Sequence, residues 1–291
     1  MRKSAGYLGK ALLIEIRPLP MAMAILASFF GAVIGFQVIG VKYPLLLIHV
    51  VNVVVILYSS HLVDTYRDLR KGEYQLGYKP RFLLDAHDPE RVITLNPRHY
   101  LYAMLVTYPV ALILSGILIV ETGLIYLILA ACGLLLSVGY SSGLDRVFIL
   151  GDLAWDMGVV LSFAGGFYVT TQTITPEIVV MSLILLPILC GVKIIDAEPD
   201  VAVDSRSQPR KTTIPVKLGL KWSHRLAYLL MIPPVLLLML LTPALHPTLI
   251  YPLLIALVLI LFSYRYPAEK GIYFIACGII LFLTWAILVL I

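Results

Sequence analysis

The chain has 291 residues, of which 60% are hydrophobic and only 13% are charged. Soluble domains carry about 25% charged residues, so the composition excludes a soluble globular protein and predicts a polytopic membrane protein. We expect membrane lipids around the chain and no nucleic-acid partner.

Apolar runs of about 20 residues, the length that crosses a bilayer, recur along the chain. They predict an all-α protein with nine transmembrane helices in a single domain over residues 1–291. Helices 2 and 6 end in similar acidic motifs, which indicates two four-helix pseudo-repeats with the ninth helix left over. The predicted spans are 19–40, 44–66, 99–120, 123–141, 151–171, 176–196, 223–242, 247–265 and 270–291.

The first acidic motif lies at the end of predicted helix 2. Asp64 and Asp68 are four residues apart, so on a helix their carboxylates share one face. Ser60 lies one turn earlier on that face. His61 lies three residues before Asp64, so it either contacts the same cavity as these acids or packs inside the helix bundle. Arg67 is placed either to pair with Asp64 or to meet an anionic substrate.

Basic residues concentrate in the N-terminal segment and in the loops after even-numbered helices. The positive-inside rule therefore places the N-terminus and these loops in the cytoplasm, and nine spans place the C-terminus outside. Two cap regions, about 67–98 and 197–222, lie on the cytoplasmic side. The basic residues of the first are Arg67, Arg70, Lys71, Lys79, Arg81, Arg91 and Arg98.

The second acidic motif lies at the end of predicted helix 6. Asp196 and Asp200 repeat the four-residue spacing, and Asp204 continues it. Lys193 lies one turn before Asp196 inside an apolar span, where a cation is costly and therefore indicates a functional role or a counter-ion. The cations that follow are Arg206, Arg210 and Lys211.

Two acid pairs on one side of the membrane predict a shared site for a divalent cation. Carboxylates bind Mg²⁺, which commonly bridges to substrate phosphates, and Lys and Arg neutralise the remaining phosphate charge. The alternative is that the acids are solvated helix ends and that the cations are membrane anchors.

With these motifs the chain resembles the UbiA superfamily of intramembrane prenyltransferases over nearly its whole length. The first motif of that family is NDxxDxxxD. Here Ser60 and His61 replace its Asn and first Asp, whereas Asp64 and Asp68 are retained. The second motif, DxxxD followed by basic residues and a Thr-x-Pro to Leu-Gly segment, matches Asp196, Asp200, Lys211, Thr213, Pro215, Leu218 and Gly219.

Two shorter segments also resemble the family. One is Arg17-Pro18 before helix 1. The other is Tyr140-Ser141, followed by Arg146 and by Gly151-Asp152.

The resemblance implies a helical bundle around a central cavity that transfers an isoprenyl chain from a polyprenyl diphosphate donor to a small lipophilic acceptor, with Mg²⁺ as cofactor. An aromatic ring stabilises an allylic cation through its quadrupole. The implied catalytic residues are Asp64, Asp68, Asp196, Asp200, Lys193 and Tyr140, the four aspartates being the metal ligands. The implied substrate-binding residues are Arg17, Ser60, His61, Arg67, Asp204, Arg206, Arg210 and Lys211.

Three hypotheses about the function remain open. In the first, the protein is a prenyltransferase whose acceptor is an aromatic quinone precursor. The altered first motif also fits a geranylgeranylglyceryl phosphate acceptor of ether-lipid synthesis, whose own phosphate would meet the loop cations. A secondary transporter would share the repeats and intramembrane charges, but it leaves the basic runs after the acid pairs without an explanation.

Overall fold

The computed structural model describes residues 18–39, 43–71, 97–205, 212–241 and 246–290. Nine helices of 14 or more residues account for most of these residues. We number them in chain order: α1 Pro18–Ile39, α2 Tyr43–Lys71, α3 Pro97–Thr122, α4 Leu124–Ser142, α5 Leu150–Thr171, α6 Pro176–Ala197, α7 Leu220–Leu241, α8 Ile250–Ser263 and α9 Ala268–Leu290.

Their length and composition make these helices suited to a bilayer. Six segments are long and apolar enough to cross a membrane, and shorter apolar stretches lie in α1, in α4 and at α8. A helix satisfies its backbone hydrogen bonds internally, which a hydrocarbon environment requires. The prediction of an all-α polytopic membrane protein is confirmed, and each predicted span corresponds to one helix within the described ranges.

Glycines let α1 and α5 approach each other closely. A Cβ at Gly31 would collide with the Phe163 carbonyl, and a Cβ at Gly166 would collide with the Ser28 carbonyl. Small residues at a helix crossing bring two backbones into contact, which is a common solution in membrane bundles. The two helices therefore form the middle of the structure.

The buried apolar side chains form two main clusters that meet at this central pair. One joins α1 and α5 to α6, α7, α8 and α9, with Phe163, Met231 and Ile260 among its members. The other joins α1 and α5 to α2, α3 and α4, with Leu118 and Tyr126 among its members. Each side of α5 also carries a cavity, and the one on the α6–α9 side is lined entirely by apolar and aromatic residues.

Candidate active site

A long cavity runs between α2, α4 and α5. It encloses about 820 Å³ of empty space, part of which is open to the outside. Ser60, His61, Asp64 and Tyr140 lie along one end of this cavity. Its middle is lined mainly by aliphatic side chains: Val53, Ile56, Leu57, Leu129, Ala130, Leu136 and Leu161.

Helix α2 brings the first acidic motif to this cavity because lining residues recur every three or four positions. Ile56, Ser60 and Asp64 are four residues apart and therefore lie on one face. Ser60 donates a hydrogen bond to the carbonyl of Ser137 over 3.3 Å, which links α2 to α4. The predicted grouping of Ser60 with His61 and Asp64 is therefore present in the structure.

The Asp64 carboxylate is mostly buried and pairs with Arg67. Arg67 Nη2 lies 3.2 Å from Asp64 Oδ1, and the two side chains are 13% and 11% exposed. An ion pair with little solvent around it is less screened than a surface pair. The adjacent Asp68 belongs to α2, but its side chain lies outside the part of the chain that the structure describes.

Lys193 lies at the edge of the cavity and is held by the second acidic motif. Its Nζ is 3.4 Å from Asp196 Oδ2 and 5.8 Å from the centre of the Trp155 ring. Trp155 is one of the residues that line the cavity, so the Lys193 ammonium group lies beside a cavity wall. A cation over an indole face is stabilised by the ring quadrupole.

The other predicted acids lie away from the cavity lining. The Asp196 side chain is 53% exposed, whereas Asp204 is buried; neither they nor Asp200 line the cavity. The structure finds no cluster of three metal-ligating side chains within its described residues. The joint metal site therefore stays a prediction. Four predicted residues lie outside the described residues: Arg17, Arg206, Arg210 and Lys211.

Sequence reasoning missed a third acid pair on α5. Asp152 was noted only as part of a short resembling segment, and Asp156 was not predicted. The two are four residues apart, and the structure buries both. Asp152 Oδ2 accepts a hydrogen bond from the backbone N–H of Ile214 over 3.2 Å. The spacing matches that of the other two pairs, so the same pattern would have found it.

The α5 acids lie within electrostatic range of Lys193. Asp152 and Asp156 both interact electrostatically with the Lys193 ammonium. Asp156 is fully buried, and the Cys190 thiol is another of its polar neighbours. A buried charge is stable only when opposite charges or hydrogen bonds surround it, and the ion pair with Asp196 provides such a contact for the lysine of α6.

A further polar contact joins the end of α6 to the start of α7. Glu198 is buried, and its Oε2 lies 3.0 Å from His224 Nδ1. Ser223 Oγ donates to Glu198 Oε1 over 3.5 Å. Glu198 lies between Asp196 and Asp200, so its side chain fixes the turn that carries the second motif. Sequence reasoning gave it no role.

Comparisons with known proteins agree with this architecture. The sequence model of the UbiA prenyltransferase family matches residues 89–271. A comparison with curated proteins gives no match.

Solved structures with the same fold cover nearly the whole chain. The apo structure of a UbiA homolog from Aeropyrum pernix K1 has a TM-score of 0.73 at 13% identity, covering 92% of this chain and 97% of that chain. A UbiA homolog from Archaeoglobus fulgidus bound to GPP and Mg²⁺ has a TM-score of 0.67 at 13% identity, covering 95% and 99%. A structure of digeranylgeranylglyceryl phosphate synthase has a TM-score of 0.65 at 18% identity, covering 99% of both chains.

Proposed function

The chain belongs to the UbiA prenyltransferase family, and we propose that it transfers an isoprenyl chain from its diphosphate to a lipophilic acceptor inside the membrane. The observation that carries the proposal is the cavity between α2, α4 and α5, which has an aliphatic middle and a polar end that contains Asp64. Membership of this family favours an enzyme over a secondary transporter.

The two parts of the cavity suit the two parts of the donor. An isoprenyl chain removes apolar surface from water when it enters an aliphatic cavity, which is favourable by about 25 cal/mol per Å². A diphosphate needs cations and hydrogen-bond donors instead. Arg67 and Lys193 lie near the polar end, and Ser60 lines it.

The donor set at the polar end fits Mg²⁺. Asp64 offers carboxylate oxygens and Ser60 a hydroxyl oxygen, and Mg²⁺ is a hard cation that prefers oxygen ligands. We propose Asp64, Asp68, Asp196 and Asp200 as the residues that hold it together with the diphosphate. When bound, the ion neutralises charge on the departing diphosphate. The homolog from Archaeoglobus fulgidus contains Mg²⁺ together with GPP.

The protein's own residues then support ionisation of the donor. The bond between C1 and the diphosphate oxygen breaks, and its electron pair stays with the diphosphate. Lys193 and Arg67 stabilise this negative charge. Tyr140 and Trp155 line the cavity, and their ring faces stabilise the allylic cation. The acceptor forms the new bond to C1 and loses a proton.

An aromatic quinone precursor is our first candidate for the acceptor. The new bond requires an electron-rich atom, and the aromatic side chains at the polar end provide stacking surfaces for a flat ring. Geranylgeranylglyceryl phosphate is the second candidate. It is favoured by the similarity to digeranylgeranylglyceryl phosphate synthase over 99% of both chains, and its phosphate would meet the loop cations.

The test is an assay of purified protein with labelled geranylgeranyl diphosphate and Mg²⁺. Dihydroxynaphthoate, hydroxybenzoate and geranylgeranylglyceryl phosphate are supplied in parallel. Turnover of an aromatic acceptor supports the first candidate, and turnover of the glyceryl phosphate alone replaces it with the second. Asp64→Asn should abolish turnover, whereas Glu177→Gln, at an exposed carboxylate at the start of α6, should leave it unchanged. Full turnover by Asp64→Asn, equal to that of Glu177→Gln, would show that Asp64 is not part of the active site.

A further inference from the structure

The first two turns of α7 present two cations and an indole ring to the outside of the helix bundle. Lys221 and Arg225 are exposed, and Trp222 between them is 62% exposed. The guanidinium carbon of Arg225 lies 5.3 Å from the centre of the Trp222 ring, so the ring quadrupole attracts the cation. We call these three residues the α7 basic cluster. None of them lines the cavity between α2, α4 and α5, so the proposed function gives the cluster no role.

The described part of the chain supplies no carboxylate to the α7 basic cluster. Residues 205–268 contain seven Lys and Arg but no Asp or Glu. Neither Lys221 nor Arg225 forms an ion pair with any of the residues that the structure describes. The two cations are four residues apart on one helix, where like charges repel. An anion from outside the chain would therefore stabilise this surface.

The α7 basic cluster continues an exposed apolar stripe of the same helix. Residues that are three, four or seven apart lie on one face. From Trp222 this spacing leads to Leu229, Leu236 and Leu240, which are 67%, 44% and 78% exposed. Exposed leucines on a helix that is long and apolar enough to cross a membrane contact lipid chains. A lipid chain that packs along this leucine stripe therefore leads to the cluster.

The length of α7 places the cluster at the level of the lipid headgroups. After Arg225 the helix continues to Leu241 without a charged residue, which corresponds to about 24 Å of helix. The hydrocarbon core of a bilayer is about 30 Å thick. Arg225 therefore lies at the edge of the hydrocarbon, where its long side chain extends to the headgroups. Lys221 lies about 6 Å further out along the helix.

We propose that the α7 basic cluster binds the phosphate of an anionic phospholipid whose acyl chains lie along the leucine stripe. Lys221 and Arg225 donate charge-assisted hydrogen bonds to the phosphate oxygens. Trp222 lies at the membrane interface, where indole rings are enriched. This inference goes beyond the proposed function and does not depend on prenyl transfer.

The net charge of the lipid distinguishes this binding site from a simple membrane anchor. A phosphatidylcholine headgroup carries an ammonium group as well as a phosphate, so the headgroup is neutral and its ammonium is repelled by the cluster. A phosphatidylglycerol headgroup carries only the negative charge. Cations that merely anchor α7 among headgroups would not distinguish the two lipids at this position, whereas a phosphate site without a carboxylate should prefer the anionic lipid.

The first test uses Trp222 as a local probe. Trp155→Phe combined with Trp285→Phe leaves Trp222 as the single tryptophan of the chain. The full chain is reconstituted into phosphatidylcholine vesicles that contain a fixed fraction of either dibrominated phosphatidylglycerol or dibrominated phosphatidylcholine. Bromine quenches indole fluorescence on contact, so quenching reports which lipid lies beside Trp222. We expect phosphatidylglycerol to associate about fivefold more strongly, the effect of about one cation near an anionic lipid surface.

Two double variants of this single-tryptophan protein locate the lipid preference. Lys221→Gln with Arg225→Gln removes the cluster charges and should make the two brominated lipids quench equally. Arg265→Gln with Lys270→Gln is the matched control, because it removes the same charge from two other exposed cations, one after α8 and one in α9. The control should keep the preference for phosphatidylglycerol at Trp222.

Three results would overturn the inference. The first is equal quenching by the two lipids in the single-tryptophan protein, and the second is a preference that survives loss of Lys221 and Arg225 or disappears equally in the control. The third is loss of the preference when inorganic phosphate replaces chloride at constant ionic strength, which would identify a site for free phosphate. Prenyl transfer is measured separately, so none of these results bears on the proposed function.

Discussion

The carboxylate of Asp152 accepts a hydrogen bond from the backbone N–H of Ile214 over 3.2 Å. Asp152 lies in the first turn of α5, and Ile214 begins the short helix Ile214–Leu218 that precedes α7. The contact fixes the segment that follows the second acidic motif against the centre of the bundle.

Removing the Asp152 carboxylate should destabilise the folded protein. Asp152→Ala leaves the buried N–H of Ile214 without its partner, which costs about 1–3 kcal/mol. Asp152→Asn retains a side-chain oxygen in the same place and should lose less. Thermal unfolding of both variants in detergent measures the difference. An Asp152→Ala variant as stable as the unmodified protein would show that this hydrogen bond contributes nothing.

Lys193 should act on the departing diphosphate. We expect Lys193→Met to lower kcat about 100-fold or more, as the loss of one transition-state charge contact does. Lys270→Met is the matched control, because Lys270 is an exposed lysine in α9. Single-turnover rates under saturating donor are the measurement. If Lys193→Met reduces only the protein yield, the lysine is a structural counter-ion for Asp196.

Metal removal should affect donor binding as well as turnover. We expect chelation with EDTA to stop prenyl transfer and to abolish the thermal stabilisation by geranylgeranyl thiolodiphosphate. Added Mg²⁺ should restore both, because the ion offsets repulsion between carboxylates and diphosphate. Asp64→Asn should require a higher Mg²⁺ concentration for the same stabilisation. Activity that survives thorough chelation would contradict the metal assignment.

The crossing of α1 and α5 should not tolerate an added methyl group. Gly166→Ala places a Cβ on the Ser28 carbonyl, and such overpacking costs typically about 1–3 kcal/mol. Gly116→Ala is the control, since nothing lies within 4 Å of the added Cβ in α3. There the loss of glycine flexibility should stabilise the helix by about 0.5–1 kcal/mol. Equal melting temperatures for the two variants would be inconsistent with the close crossing.

Local patterns determined the helices and part of the site. Hydropathy predicted all nine spans because each is apolar along its own length. The predicted second span stops at residue 66, where the apolar residues stop. The helix α2 itself continues to Lys71, because its backbone hydrogen bonds continue through the polar residues. The i,i+4 spacing placed Ser60 and Asp64 on one face, and both line the same cavity.

Only tertiary packing decided which of these faces meet. The pairing of His49 with Tyr126 joins residues 77 positions apart, and no local periodicity specifies such a contact. The same holds for the burial of Asp156 beside Lys193 and for the Asp152 contact with Ile214. A helix pattern encodes the direction of a side chain relative to its own axis. Which residue of another helix that side chain contacts depends on how the helices cross. Glycines such as Gly166 permit a close crossing, and the packing of the whole bundle determines it.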